Sequence, residues 1–115
     1  MKLPNFDRAM VPQEKITEYL LSPDHPRGRW KAQFFVKVGF SPVEGDVLVA
    51  ALLQHVADHQ VKKVEDSQFG IHYTVEGAME VPDGSAPVVR SIWFIRTGDT
   101  IPRLVTAYPL ERSRQ

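Results

Sequence analysis

Hydrophobic and polar positions along this chain follow two periods, and the change falls near residue 60. Before it, apolar residues recur every three or four positions. In "VPQEKITEYLLS", residues 11–22, Ile16, Tyr19 and Leu20 form a short stripe behind Pro12, a residue suited to a first helical turn. The spacing predicts a helix that ends at the "SPDHP" break. The run "RWKAQFFVKVGF" sets Trp30, Phe34 and Val38 on one side with Ala32 and Phe35 beside them, and Gly39 is placed to cap it. After "SPVEG", the run "DVLVAALLQHVADHQ" predicts a third helix, with Asp46 as its N-cap.

From residue 61 the period is two. "VKKVED" reads as a weak strand, and "GIHYTVEGAMEV" alternates Ile71, Tyr73 and Val75 against His72, Thr74 and Glu76. "PDGSAP" is a turn by composition. "VVRSIWFIR" is apolar on both faces, which suits a central strand. "TGDTIP" turns the chain again, and "RLVTAYP" is the last strand, stopped by Pro109. Helices followed by hairpin-linked strands predict an α+β fold. Two to three N-terminal helices would pack on one face of an antiparallel sheet of about four strands. Residues 1–110 form one domain on this reading, and 111–115 are a loose tail.

Composition changes the picture only by exclusion. The 115 residues are 43 % hydrophobic and 24 % charged, an ordinary balance for a soluble domain with one core. There is no cysteine, which removes disulfides, zinc–thiolate sites and cysteine nucleophiles and fits a cytoplasmic location. "MKLPNFDRAM" has no apolar signal core, and no run approaches membrane-spanning length, so no membrane partner is expected.

Charge adds more. The net charge is zero, yet the signs are segregated: residues 25–43 carry four cations and no carboxylate, residues 44–83 carry eight carboxylates and two cations, and residues 84–115 carry five cations and two carboxylates. If the two basic segments meet in space, they make a basic surface that the overall balance conceals.

Those segments also hold the candidate chemistry. Lys31 lies three, four and seven positions before Phe34, Phe35 and Val38, so it shares the buried side of its helix. Such a lysine either snorkels out or points into a groove. Arg90 shares a strand face with Val88, Ile92 and Phe94, and a cation there needs an acidic partner or an anionic ligand. Thr106 and Tyr108 share one face of the last strand. His25 precedes Pro26 at an irregular turn, where it would exchange a proton near neutral pH. Histidine, lysine, arginine and hydroxyls are the parts of a phosphodiester transfer that needs no metal.

Other chemistries have less behind them. His55 and His59 in "HVADH" stand four apart on one helical face, the spacing of a two-histidine metal pair, but without the glutamate of the H-E-x-x-H pattern. An exposed polar face explains them more simply, so no metal and no other cofactor is assigned. His72 reads as a surface residue. A phosphate-cradling glycine loop, a Ser-His-Asp spacing and a dinucleotide fingerprint are all absent.

"YLLSPDHPRGRWKAQFF" resembles the signature of a bacterial family, the domain of unknown function 6883, whose usual form is Y-L-L-N-x-x-H-P-x-G-x-x-K-A-x-F-F. "FGIHYTVEG", "VPDGSAPVVRSIWFIRTGD" and "PRLVTAYP" resemble it too, so the likeness runs from about Lys2 to Pro109. Ser22 stands where the family has asparagine, and Trp30 where small or polar residues are common. Related domains lie at the C-terminal ends of bacterial polymorphic toxins, and this chain resembles a free-standing version. The group is considered similar to the barnase–EndoU–colicin–RelE class of ribonuclease folds. The resemblance therefore implies a toxin-like endoribonuclease that needs no metal and cleaves RNA by 2′-hydroxyl attack. Its site would be His25, Lys31, Arg90, Thr106 and Tyr108: the histidine as general acid or base, the cations on the phosphate, the hydroxyls orienting the scissile group or base. RNA and a neutralising protein would be its partners. The alternative is a non-catalytic interaction module, or the partner half of a toxin–antitoxin-like pair, in which Lys31 and Arg90 belong to structural ion pairs.

Overall fold

The computed structural model describes residues 1–16 and 29–110. Within them run a 3-10 turn (Phe6–Arg8), α1 (Gln13–Lys15), α2 (Arg29–Lys37), a second 3-10 turn (Pro42–Glu44), α3 (Gly45–Asp58), β1 (Val61–Ser67), β2 (Gly70–Ala78), β3 (Val88–Arg96) and β4 (Arg103–Pro109). The strands form one antiparallel sheet in the order β1-β2-β3-β4, each beside its neighbour in sequence. The fold is α+β.

Strand alternation divides the sheet into two faces. Tyr73 and Val75 of β2, Val89, Ser91 and Trp93 of β3, and Leu104 and Ala107 of β4 are buried on one of them. Leu48, Leu52 and Val56 of α3, Phe35 of α2, and Leu3 and Ile16 near the N-terminus complete the same core. The other face follows from the register. Glu76, Arg90 and Tyr108 lie in one row across β2, β3 and β4, and Thr74, Ile92 and Thr106 in the next.

Both edge strands carry an irregularity that serves this division. In β4, Ile92 pairs with Thr106 and Trp93 with Leu104, so Val105 is an extra residue. By plain alternation Leu104 would share a face with Thr106 and Tyr108. The bulge keeps Leu104 in the core while the two hydroxyl residues face the other way. In β1, Val61 pairs with Val75 and Lys63 with Thr74, which makes Lys62 the extra residue.

Helix α2 ends as its sequence predicts. Gly39 adopts φ 112°, Gly39 N–H bonds Val36 C=O at 3.0 Å, and Phe40 N–H bonds Phe35 C=O at 3.0 Å. This is a Schellman arrangement, sealed by the Phe35 and Phe40 rings with centroids 6.0 Å apart.

Other expectations need correction. Trp30 does not share the buried side of α2; it is 51 % exposed, whereas Lys31, Ala32 and Phe35 are buried. The inward stripe starts one residue later because Lys31 and Phe35, four apart, stack over one another. Asp46 is not the N-cap of α3: the helix already begins at Gly45, with Glu44 before it making no side-chain bond. The cap-like bond belongs to Ser41, whose Oγ accepts from Val43 N–H at 3.3 Å in the preceding 3-10 turn. β2 stops at Ala78 rather than Val81, yet Met79 and Val81 stay buried in the connection to β3. Of the first predicted helix, residues 11–16 are described and only Gln13–Lys15 are α-helical among them; residues 17–22 and the tail 111–115 lie outside the described residues.

Candidate functional site

The sheet face opposite the core, open among the described residues, gathers most of the residues singled out from the sequence. Helix α2 packs against β4. Lys31, in its first turn, extends over that strand, and its Nζ donates to Thr106 Oγ1 at 2.9 Å. The ammonium lies 5.2 Å from the centre of the Tyr108 ring and 5.8 Å from that of Trp30. Those two rings lean on each other with centroids 6.0 Å apart. The lysine is only 9 % exposed, and its partners include one hydroxyl and two aromatic rings. The first turn of α2 contains no acidic residue, so the positive end of the helix adds to the same field.

Arg90 is the second cation. Its Nε donates to Glu76 Oε2 at 2.7 Å, its Nη2 approaches the same oxygen at 2.6 Å, and its Nη1 donates to the Tyr108 hydroxyl at 3.1 Å. The bond it donates to Tyr108 and then the one it donates to Glu76 raise the Arg90 pKa above its ordinary value. The Glu76 side chain is 17 % exposed and that of Arg90 35 %, so the pair sits partly out of water rather than loose on the surface. The partner left open by the sequence is therefore an acidic residue on the neighbouring strand. The two basic segments do meet where α2 touches β4, but Glu76, from the acidic segment between them, enters the same cluster.

A groove of about 470 Å³ opens beside Arg90 and Glu76, lined also by Thr74, Ile92, Lys62, Lys63 and Glu65. Three cations, two carboxylates and the Thr74 hydroxyl thus border one concavity, beside the Lys31–Tyr108 cluster that Arg90 joins to it. An anion entering it would meet the Arg90 guanidinium and the two lysines, with the Glu76 carboxylate as an acceptor for a proton.

The structure brings Lys31, Arg90, Thr106 and Tyr108 together, linked through Tyr108. His25 lies outside the described residues. Glu76 and Trp30 join the cluster although the sequence alone does not mark them as site residues. Glu76 has a signal: it alternates with Thr74 on the strand preceding Arg90, and a hairpin closing at Ala78 and Val88 makes it the direct partner of Arg90.

The His55–His59 pair does something else. His55 is buried, contrary to an exposed polar face, because α3 turns it onto the sheet's core side. Its Nε2 lies 3.1 Å from Gly77 O and 3.0 Å from Val89 O, and its Nδ1 lies 3.2 Å from Ser91 Oγ. Trp93 Nε1 donates to that same Oγ at 2.9 Å. One assignment satisfies every group: His55 neutral with its proton on Nε2, accepting at Nδ1 from Ser91. Burial lowers its pKa below 6.5, outweighing the bonds to the Gly77 and Val89 carbonyls, and the neighbouring His59 acts in the same direction as burial. His59 Nε2 bonds Ala78 O at 2.7 Å. Among the described residues no three histidine, cysteine or carboxylate side chains cluster as metal ligands would. No helix among them is long and apolar enough to cross a membrane.

The profile of the family called Domain of unknown function (DUF6883) matches residues 2–111. The chain belongs to this family. The DUF6883 domain is also similar in fold to a chain in a solved contact-dependent growth inhibition toxin–immunity protein complex from Klebsiella pneumoniae 342. The two share 21 % sequence identity and a TM-score of 0.70, over 89 % of this chain and 100 % of that one. No curated protein matches this one in sequence.

Proposed function

We propose that this DUF6883 domain is an endoribonuclease whose site is the open face of the sheet, cleaving RNA by attack of a 2′-hydroxyl on the adjacent phosphate without a metal. One observation carries this reading: Lys31 and Arg90, from a helix and a central strand, converge on Tyr108 with Glu76 beside them. In the reaction the 2′-oxygen bonds to phosphorus and the 5′-oxygen leaves, giving a 2′,3′-cyclic phosphate and a 5′-hydroxyl. Glu76 accepts the proton of the attacking hydroxyl. Lys31 and Arg90 stabilise the charge that grows on the phosphoryl oxygens. His25 returns a proton to the leaving oxygen. Thr106 and Tyr108 hold the two cations in place. The similar chain's membership of a toxin–immunity complex supports a role in such a system, with a neutralising protein as second partner.

The test is incubation of the purified protein with total cellular RNA in excess EDTA, beside Lys31→Met and Glu76→Gln. The reading expects cleavage that both substitutions reduce by about a hundredfold or more, the usual loss when one preorganised charge-stabilising group is removed. Cleavage that EDTA abolishes, or that survives both substitutions, overturns it.

A second reading has its own observation. All three guanidinium nitrogens of Arg90 are directed at Glu76 or Tyr108, as a structural ion pair would be. A non-catalytic module, or the partner half of a toxin pair, would use the face for docking instead. It expects RNA to stay intact with a folded protein.

A further inference from the structure

The groove beside Arg90 has a second end that the cleavage reaction does not use. In a regular strand, successive residues point to opposite faces. At the β1 irregularity, Lys62 is the extra residue between Val61, paired with Val75, and Lys63, paired with Thr74. The result is that two consecutive lysines line the same groove, with Thr74, Glu76 and Arg90 across from them. Lys63 Nζ lies 3.4 Å from Glu65, but both side chains are about 60 % exposed, and such a pair exchanges readily for another anion.

A scissile phosphate needs only Lys31 and Arg90, so the two lysines are surplus to it. From β4 to β1 is three strand spacings, about 14 Å. One nucleic-acid strand carries a phosphate about every 3.4 Å of helix axis, so that distance spans more than one. The order of groups across the face is cation over β4, cation on β3, cations on β1. Glu76 and Glu65 lie among them. A carboxylate-rich peptide would meet repulsion from both, whereas ribose hydroxyls and base amino groups donate to carboxylates. The groove is concave, which suits a single strand rather than the convex backbone of a duplex.

We propose that, on the ribonuclease reading, the groove seats single-stranded RNA laid across the strands, with Lys62 and Lys63 holding a phosphate that flanks the scissile one.

The experiment compares the full chain with Lys62→Ala/Lys63→Ala in binding a mixed-sequence 2′-O-methyl RNA octamer, which cannot be cleaved, across a salt series. Both lysines are exposed, so the double variant keeps the fold. The expected result is weaker binding, about fivefold or more at low salt, and a log–log salt slope shallower by about 0.7 for each phosphate that is no longer neutralised. Unchanged affinity and slope in the variant, with the wild type still cleaving RNA, overturn the flanking-phosphate role and leave the ribonuclease standing. A wild type that neither binds the octamer nor cleaves RNA overturns both. Binding of an oligoglutamate peptide in place of the octamer overturns the assignment to RNA.

Discussion

Arg90 and Tyr108 stand directly opposite each other on β3 and β4, and Arg90 Nη1 donates to the phenol oxygen at 3.1 Å. The face of the same ring lies 5.2 Å from Lys31 Nζ. One tyrosine therefore positions two cations: its hydroxyl accepts from the guanidinium, and its ring lies near both the ammonium and, at 5.7 Å, the guanidinium carbon. The pairing depends on the bulge at Val105, which sets Tyr108 on the open face while Leu104 remains in the core.

Tyr108→Phe separates these two roles. The ring that faces Lys31 remains, but Arg90 loses one acceptor. A hydrogen bond to a charged group contributes about 1.5–3 kcal/mol, and for a half-exposed arginine the lower end or less applies. Urea unfolding should show a loss of about 1 kcal/mol, and RNA cleavage should fall while binding of the octamer through Lys62 and Lys63 persists.

Lys31→Met keeps the length of the buried side chain and removes its charge. Thr106 keeps its hydroxyl, and the thioether takes the place of the ammonium beside the Trp30 and Tyr108 rings. Thermal melting should move little, whereas cleavage should drop about a hundredfold or more. A variant that melts far lower would make the ammonium a structural group first.

Acid should act on the core before it acts on the surface carboxylates. His55 is neutral when folded, with a pKa below the 6.5 of the unfolded chain. Above pH 6.5 neither state is protonated there, and its contribution to stability is complete. As the pH falls below 6.5 the unfolded chain takes up a proton that the folded one does not, and stability declines until the folded pKa is reached. The slope is at most about 1.4 kcal/mol per pH unit. His55→Gln, which retains a donor toward the Gly77 and Val89 carbonyls, should abolish the decline between pH 6.5 and 5, read by urea midpoints at fixed temperature.

Gly39→Ala tests the end of α2. The residue has φ 112°, and an added Cβ would meet Pro82 Cβ at 2.7 Å. The substitution should cost about 1–2 kcal/mol or more, since both backbone and neighbour must shift. Because Val38 C=O also accepts from Asp83 N–H at 3.0 Å, hydrogen exchange should quicken at Asp83 as well as at Phe40.

The strands and the two longer helices are legible in the sequence from their apolar periods, most clearly in Tyr73 and Val75 of β2, although one extra residue interrupts the alternation in each of β1 and β4. Lys31, Arg90, Thr106 and Tyr108 stand out there as polar groups beside apolar neighbours. What joins them is not legible. The Glu76–Arg90–Tyr108 row depends on where two hairpins close and on one extra residue in β4, neither of which alternation records. His55 reads as part of a polar helix face because its partners are backbone carbonyls and a serine at least 22 residues away. Trp30 reads as inward because an aromatic at helical spacing resembles core, whereas in the fold it covers Lys31 from outside.

The most direct test of the ribonuclease assignment is to digest a defined RNA in excess EDTA and identify the product ends by mass spectrometry. The same sequence made with 2′-deoxy sugars serves as control. The account predicts 2′,3′-cyclic phosphate and 5′-hydroxyl ends from the RNA, an intact deoxy strand, and loss of the products with Lys31→Met. Cleavage of the deoxy strand, or an RNA left whole by a folded protein, would contradict it.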